Sequence, residues 1–182
     1  MRRLFGFLPL ALAILFCCSA ASVAEEPDKD LDNVLKLFPG YHLLTLSERN
    51  SETRAFLKQH YPNRNPSVIH ADFDGDGHPD YALLLKNDKS GAAKLVVLLC
   101  PTDDGCKTVY RLDLSGYAEV TYLKAASAGS RTSQTDAVDA GQPGPSAKLR
   151  ATGIRVSYFE KGEVVLHWNR KLKRIEEIQT GD

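Results

Sequence analysis

The chain has no excess of charge, no second long hydrophobic run, little cysteine and none of the common catalytic signatures. Lysine plus arginine number 23, and aspartate plus glutamate also number 23. A protein that binds nucleic acid or an anionic membrane surface shows a basic excess, so this balance argues against both. Beyond the first 24 residues no apolar stretch is long enough to span a bilayer. Of the four cysteines only Cys100 and Cys106 lie past that point. Their C-x5-C spacing is not the C-x-x-C of a redox site. G-x-S-x-G, H-E-x-x-H, the P-loop and G-x-G-x-x-G are all missing. The five histidines, His42, His60, His70, His78 and His167, are dispersed.

The N-terminus has a clear pattern. Arg2 and Arg3 precede an apolar run over residues 4–16, and Ser22-Val23-Ala24 forms a small-x-small cleavage signal before Glu25-Glu26. This is a secretory signal peptide, 1–24, with an apolar core too short for a membrane span. Leu15 and Phe16 ahead of Cys17 and Cys18 are large where a lipid-attachment signal wants small residues. Cleavage after Ala24 removes two arginines and no acid, leaving 25–182 with a net charge near −2. The expected location is periplasmic or extracellular. In such an oxidising compartment Cys100 and Cys106 pair across the mouth of a hairpin, between strand-like runs on either side. Loop closure over so small a ring contributes only about 2 kcal/mol.

The most informative stretch is Asp72-Phe73-Asp74-Gly75-Asp76-Gly77-His78-Pro79-Asp80. Carboxylates stand at positions one, three, five and nine, and glycines at four and six. Ca²⁺ takes six to eight oxygens at about 2.3–2.6 Å, and a tightly turning loop aims alternate side chains inward to supply them. Asp72, Asp74, Asp76 and Asp80 are the expected side-chain ligands. His78, at position seven, contributes its backbone carbonyl. Gly77 falls at the sharpest turn, where φ > 0 is needed. The alternative is an acidic polar turn. The loop is not an EF-hand: position twelve is Leu83 rather than glutamate, and the flanks, 67–71 and 81–85, read as strands rather than helices.

These nine residues resemble the FG-GAP (VCBS-type) calcium loop, D-x-D-G-D-G-x-x-D followed by an apolar strand, found in integrin-α-like β-propellers and in secreted bacterial proteins. The resemblance covers under a tenth of the chain. One copy of the loop occurs here, whereas a propeller repeats its blades, so the resemblance implies an ion site and not a propeller. More weakly, the Tyr158-Phe159-Glu160-Lys161 and Trp168-Asn169 segments resemble the end of small secreted bacterial proteins with one such loop.

Length and composition suggest a single secreted domain over 25–182. Leu31, Val34, Leu35, Leu37 and Phe38 fit a short helix stopped by Pro39-Gly40. Ser51 is the expected N-cap of a second helix, with Ala55, Phe56 and the stem of Gln59 on one face, ending before Pro62. Residues 41–45 form a strand or an extended segment. Strands follow over roughly 67–72, 80–87, 93–100, 106–114 and 117–124. Residues 126–147 have almost no large apolar side chains and are expected to form a long mobile loop. A meander closes the chain, with turns at Glu160-Lys161-Gly162 and Asn169-Arg170-Lys171. The fold class is α+β: a mostly antiparallel, curved β-sheet or partial barrel of six to nine strands, with one or two N-terminal helices.

Three function classes remain. The favoured one is a secreted calcium-binding module, a binding or interaction protein for a protein or glycan partner, braced by Ca²⁺ and the disulfide. The second is a metal-assisted extracellular hydrolase, in which His70 joins Asp72 and Asp74 at a metal. It would be supported by a pocket holding His70 or His167 beside an acid of raised pKa. The third is an accessory subunit of an envelope assembly. No base–nucleophile pair is visible, and Trp168, the one tryptophan, is assigned to the core.

Overall fold

Residues 81–85 and 95–99 are apolar at every position, and a strand apolar on both faces must be covered on both. The computed structural model, which describes residues 29–101, 105–134 and 145–181, shows how the chain does this. The signal segment 1–24 lies outside the described residues.

Helix α1 (Lys29–Leu35) leads into β1 (Tyr41–Leu43), and α2 (Ser51–His60) into β2 (Val68–Ala71), β3 (Asp80–Asn87), β4 (Ala93–Leu99) and β5 (Lys107–Asp113). A short 3-10 turn (Ala118–Val120) precedes β6 (Thr121–Ala126). A small ribbon of β7 (Arg131–Ser133) and β8 (Ser146–Lys148) comes next, then β9 (Gly153–Tyr158), β10 (Gly162–Asn169) and β11 (Arg174–Gly181). All pairings are antiparallel. The first sheet has the order β1-β3-β4-β5, with β2 also on β3. Because β1 pairs with 85–87 and β2 with 80–83 of β3, these two lie end to end along one edge. The second sheet has the order β11-β10-β9-β6.

Alternation along the strands sorts their side chains. Ala82, Leu84, Leu95, Val97 and Leu99 of the first sheet meet Leu123, Ile154, Val156, Leu166 and Ile175 of the second in one core. The other face of the first sheet, with Tyr81, Leu83, Leu85, Val96 and Leu98, is covered by Val34 and Phe38 from the α1 region and by the two cysteines. The fold is α+β with antiparallel sheets that do not close into a barrel. It has more strands than expected, eleven among the described residues, and they divide between two facing sheets and the ribbon. No helix among the described residues is long and apolar enough to cross a membrane.

Several local expectations are corrected. The cap of α2 is Asn50, whose Oδ1 accepts the Thr53 N–H at 2.8 Å, and Ser51 is the first helical residue. The buried face of α2 is Thr53 and Leu57, while Ala55 and Gln59 are exposed. Phe56 instead packs against Tyr61, Tyr122 and Phe159, fastening the helix to the second sheet. Leu37 is 53% exposed rather than on the apolar face of α1. The expected loop 126–147 begins inside β6 and contains the β7–β8 ribbon, and its residues 135–144 lie outside the described residues.

A buried cation ties the two sheets together. Arg49 is 3% exposed. Its guanidinium donates to the carbonyls of Leu44 (3.1 Å), Thr45 (2.7 Å) and Thr121 (3.2 Å) and to Ser67 Oγ (2.7 Å). Burial pulls its pKa down to about 10, so it stays charged at neutral pH, and the oxygen atoms around it replace water.

Candidate metal site

The register of β2 on β3 places Ala71 opposite Asp80, so the segment between them is a hairpin loop whose two ends meet. Phe73, between the first two aspartates, is 2% exposed and anchors the loop in the core between the sheets. With Phe73 directed inward, Asp72 and Asp74 stand on either side of a fixed point. The loop then winds on its own carboxylates. Asp72 accepts the Gly75 and Gly77 N–H groups, the latter at 3.0 Å. Asp74 accepts the Asp76 N–H (3.0 Å), and Asp76 accepts the His78 N–H (2.7 Å). Gly75 and Gly77 have φ of 78° and 93°, a left-handed backbone that a side chain resists.

One oxygen from each of Asp72, Asp74 and Asp80 lies within 4.8 Å of the others. Oxygens around a Ca²⁺ at about 2.4 Å are at most about 4.8 Å apart, so the three fit one shell and could hold a metal ion. The donors are all hard oxygen, which suits Ca²⁺ or Mg²⁺ rather than a thiolate- or imidazole-seeking ion. Asp76 is exposed and not part of this group of three, and neither is the imidazole of His78. Leu83, at position twelve, is fully buried.

Asp80 is the least accessible of the three, at 1% exposure. Burial pushes its carboxyl up to about 6, against the pull of two backbone N–H groups, while the charges of Asp74 and Asp76 push it further up. Asp74 is also raised, by burial and by the charges of Asp76 and Asp72, with the Asp76 N–H and Arg170 acting the other way. The loop thus concentrates negative charge that a bound cation would relieve.

Two distant elements hold the loop. The Thr152 N–H donates to the carbonyl of Asp72 at 3.1 Å. From the β10–β11 turn, Arg170 donates to the carbonyls of Asp74 (2.9 Å) and Gly75 (2.7 Å). A β-carbon at Gly75 would collide with that guanidinium. Beside it opens a cleft of about 510 Å³ lined by Asp74, Gly75, Asp76, Trp168, Arg170 and Lys173. Trp168 is half-buried and packs on the core from that side.

The cysteines are bonded, Cys100 to Cys106, with Cα atoms 4.1 Å apart. The staple closes the connection of β4 to β5 next to the aspartate loop, since Asp80 accepts the Cys100 N–H at 2.9 Å.

His70 does not join the aspartates. Its ring stacks on Tyr81, 4.3 Å between centroids and 8° from parallel, on the sheet face opposite to Asp80. The cleft that contains it, about 580 Å³ between β2 and β6, has no carboxylate among its lining residues. His167 faces Glu176 across β10–β11, but that carboxyl is lowered, held by Asn169 and Arg174, rather than raised. Arg49, Phe73 and Arg170 escaped the sequence reading. Arginine carries no signal of burial, and Arg170 reaches the loop from 95 residues away. No family model, no curated protein and no solved structure matches this chain.

Proposed function

We propose that the chain is an exported calcium-binding module whose ion loop and disulfide brace a surface for a protein or glycan partner. The observation that carries the reading is the gathering of Asp72, Asp74 and Asp80 oxygens within 4.8 Å, in a loop with the FG-GAP-type spacing. These three carboxylates hold the ion, and Asp76, the His78 carbonyl and water complete the shell. The ion neutralises the loop and fixes its path; it carries out no reaction. The export pattern of residues 1–24 supports a periplasmic or extracellular location, where free calcium is high enough for a site without the bidentate glutamate. Such a site has a dissociation constant on the order of 10⁻⁵ to 10⁻³ M.

Thermal unfolding tests the reading. Millimolar Ca²⁺ raises the melting temperature, because the ion binds the folded chain and not the unfolded one. EDTA reverses the rise, and Asp74→Asn, which keeps an acceptor for the Asp76 N–H but removes the charge, abolishes most of it. A melting temperature indifferent to Ca²⁺ and EDTA would sink the proposal.

A further inference from the structure

The balanced charge of the whole chain averages away a local run, Arg170-Lys171-Leu172-Lys173-Arg174, in which four cations surround one leucine. The fold places this run at the tip of the β10–β11 hairpin, where all five residues are exposed. Leu172 is 55% exposed, one of three large apolar side chains so exposed among the described residues. The tip is built rather than slack. Asn169 Oδ1 accepts the N–H groups of Lys171 (3.0 Å) and Leu172 (3.1 Å). Lys173 holds a left-handed φ of 49°. Arg170 is fastened to the carbonyls of Asp74 and Gly75. Arg174 is paired with Glu176 at 3.1 Å, whereas no ion pair engages Lys171 or Lys173 among the described residues.

We propose that this tip docks on an anionic lipid bilayer, with Leu172 entering the headgroup boundary and Lys171, Lys173 and Arg170 meeting lipid phosphates. An apolar apex ringed by cations matches the layering of such a surface, apolar below and negative above. A tip already ordered by Asn169 and Arg170 loses little freedom on docking. The opposing charges are Asp74 and Asp76, which line the same cleft as Arg170 and Lys173. A cation in the loop removes that opposition, although the docking residues are separate from the proposed ligands. With a single apolar residue and few cations the docking is weak, reversible and salt-sensitive.

Vesicle sedimentation in calcium-containing buffer at low salt tests this. The protein partitions onto vesicles of phosphatidylcholine mixed with phosphatidylglycerol and not onto phosphatidylcholine alone. Lys171→Ala with Lys173→Ala lowers partitioning roughly thirtyfold, and Leu172→Ala lowers it severalfold, with the melting temperatures of both variants unchanged. Equal partitioning onto both vesicle types, or variants that partition like the parent, would overturn the proposal. So would retention on dextran sulfate without partitioning onto the anionic vesicles, which would make the partner a soluble polyanion. None of the substituted side chains belongs to the ion loop, so failure here is distinguishable from failure of the calcium reading.

Discussion

The buried carboxylate of Asp80 joins the aspartate loop to the disulfide: Oδ1 accepts the Cys100 N–H at 2.9 Å while Oδ2 accepts the Phe73 N–H at 2.8 Å. One side chain thereby fixes the start of the loop, its own position among the three gathered carboxylates and the end of β4. The staple and the loop act as a single unit, and disturbing one is felt at the other.

Reduction of the Cys100–Cys106 bond, or Cys106→Ser, therefore costs about 2 kcal/mol of stability and also weakens Ca²⁺ binding. Alkylation followed by mass spectrometry finds neither thiol labelled before reduction. Labelling of both in the native protein contradicts the pairing.

Gly75 and Gly77 share a left-handed backbone but not the same surroundings. Gly77→Ala meets open space, so it costs only the backbone term, about 1 kcal/mol. Gly75→Ala also drives a methyl into the Arg170 guanidinium and costs more. In an Arg170→Ala background the excess at Gly75 disappears. A double-mutant cycle by chemical denaturation reads this coupling directly, and additive costs would remove Arg170 as the latch.

Glu163, on β10, is one source of the expected acid sensitivity. Burial alone would raise its carboxyl, but hydrogen bonds from Lys124, Ser157 and Arg155 overcome this and hold it at about 2, against an ordinary 4.5. The folded pKa lies below the unfolded one, so the stabilisation is complete above the unfolded value and is lost as pH falls from about 5 towards 2. It amounts to about 3 kcal/mol. Glu48 is held as low, at about 2, its burial overcome by hydrogen bonds from Thr45, Lys86 and His42. Both proteins therefore lose stability across this range, but denaturation shows the parent losing about 3 kcal/mol more than Glu163→Gln, which is already weaker at neutral pH. Parallel curves for the two proteins contradict the assignment.

Arg49→Met removes the donor to the carbonyls of Thr45 and Thr121 and to Ser67 Oγ, leaves the Leu44 carbonyl with Ser67 alone, and destabilises the fold by about 3 kcal/mol or more. Arg54→Met, at a side chain with only an exposed contact to the Ser47 carbonyl, changes stability by less than about 0.5 kcal/mol. Similar urea midpoints for the two variants would show that Arg49 is not the tie between the sheets.

The readable parts of this chain are those where a local rule decides. The apolar runs of β3 and β4, the turn before Gly162, the spacing of the aspartates and the two cysteines each speak within ten residues, and the structure keeps them. Features set by distant contacts were hidden. One curved sheet and two facing sheets share the same alternation, and only the contact of Leu84 and Val97 with Val156 and Leu166 separates them. Phe73 reads as the variable position of a loop motif until the core takes it up. A neutral net charge gave no notice of the cations around Leu172, because acids elsewhere in the chain cancel them in the sum.

Calorimetric titration of Ca²⁺ into the metal-free protein, alongside Asp74→Ala, tests the central claim most directly. The account predicts one saturable binding event with a dissociation constant on the order of 10⁻⁵ to 10⁻³ M, and no measurable heat of binding in Asp74→Ala. Absence of binding heat in the parent, with an unchanged melting temperature in EDTA, would mean that the aspartate loop is only an acidic turn.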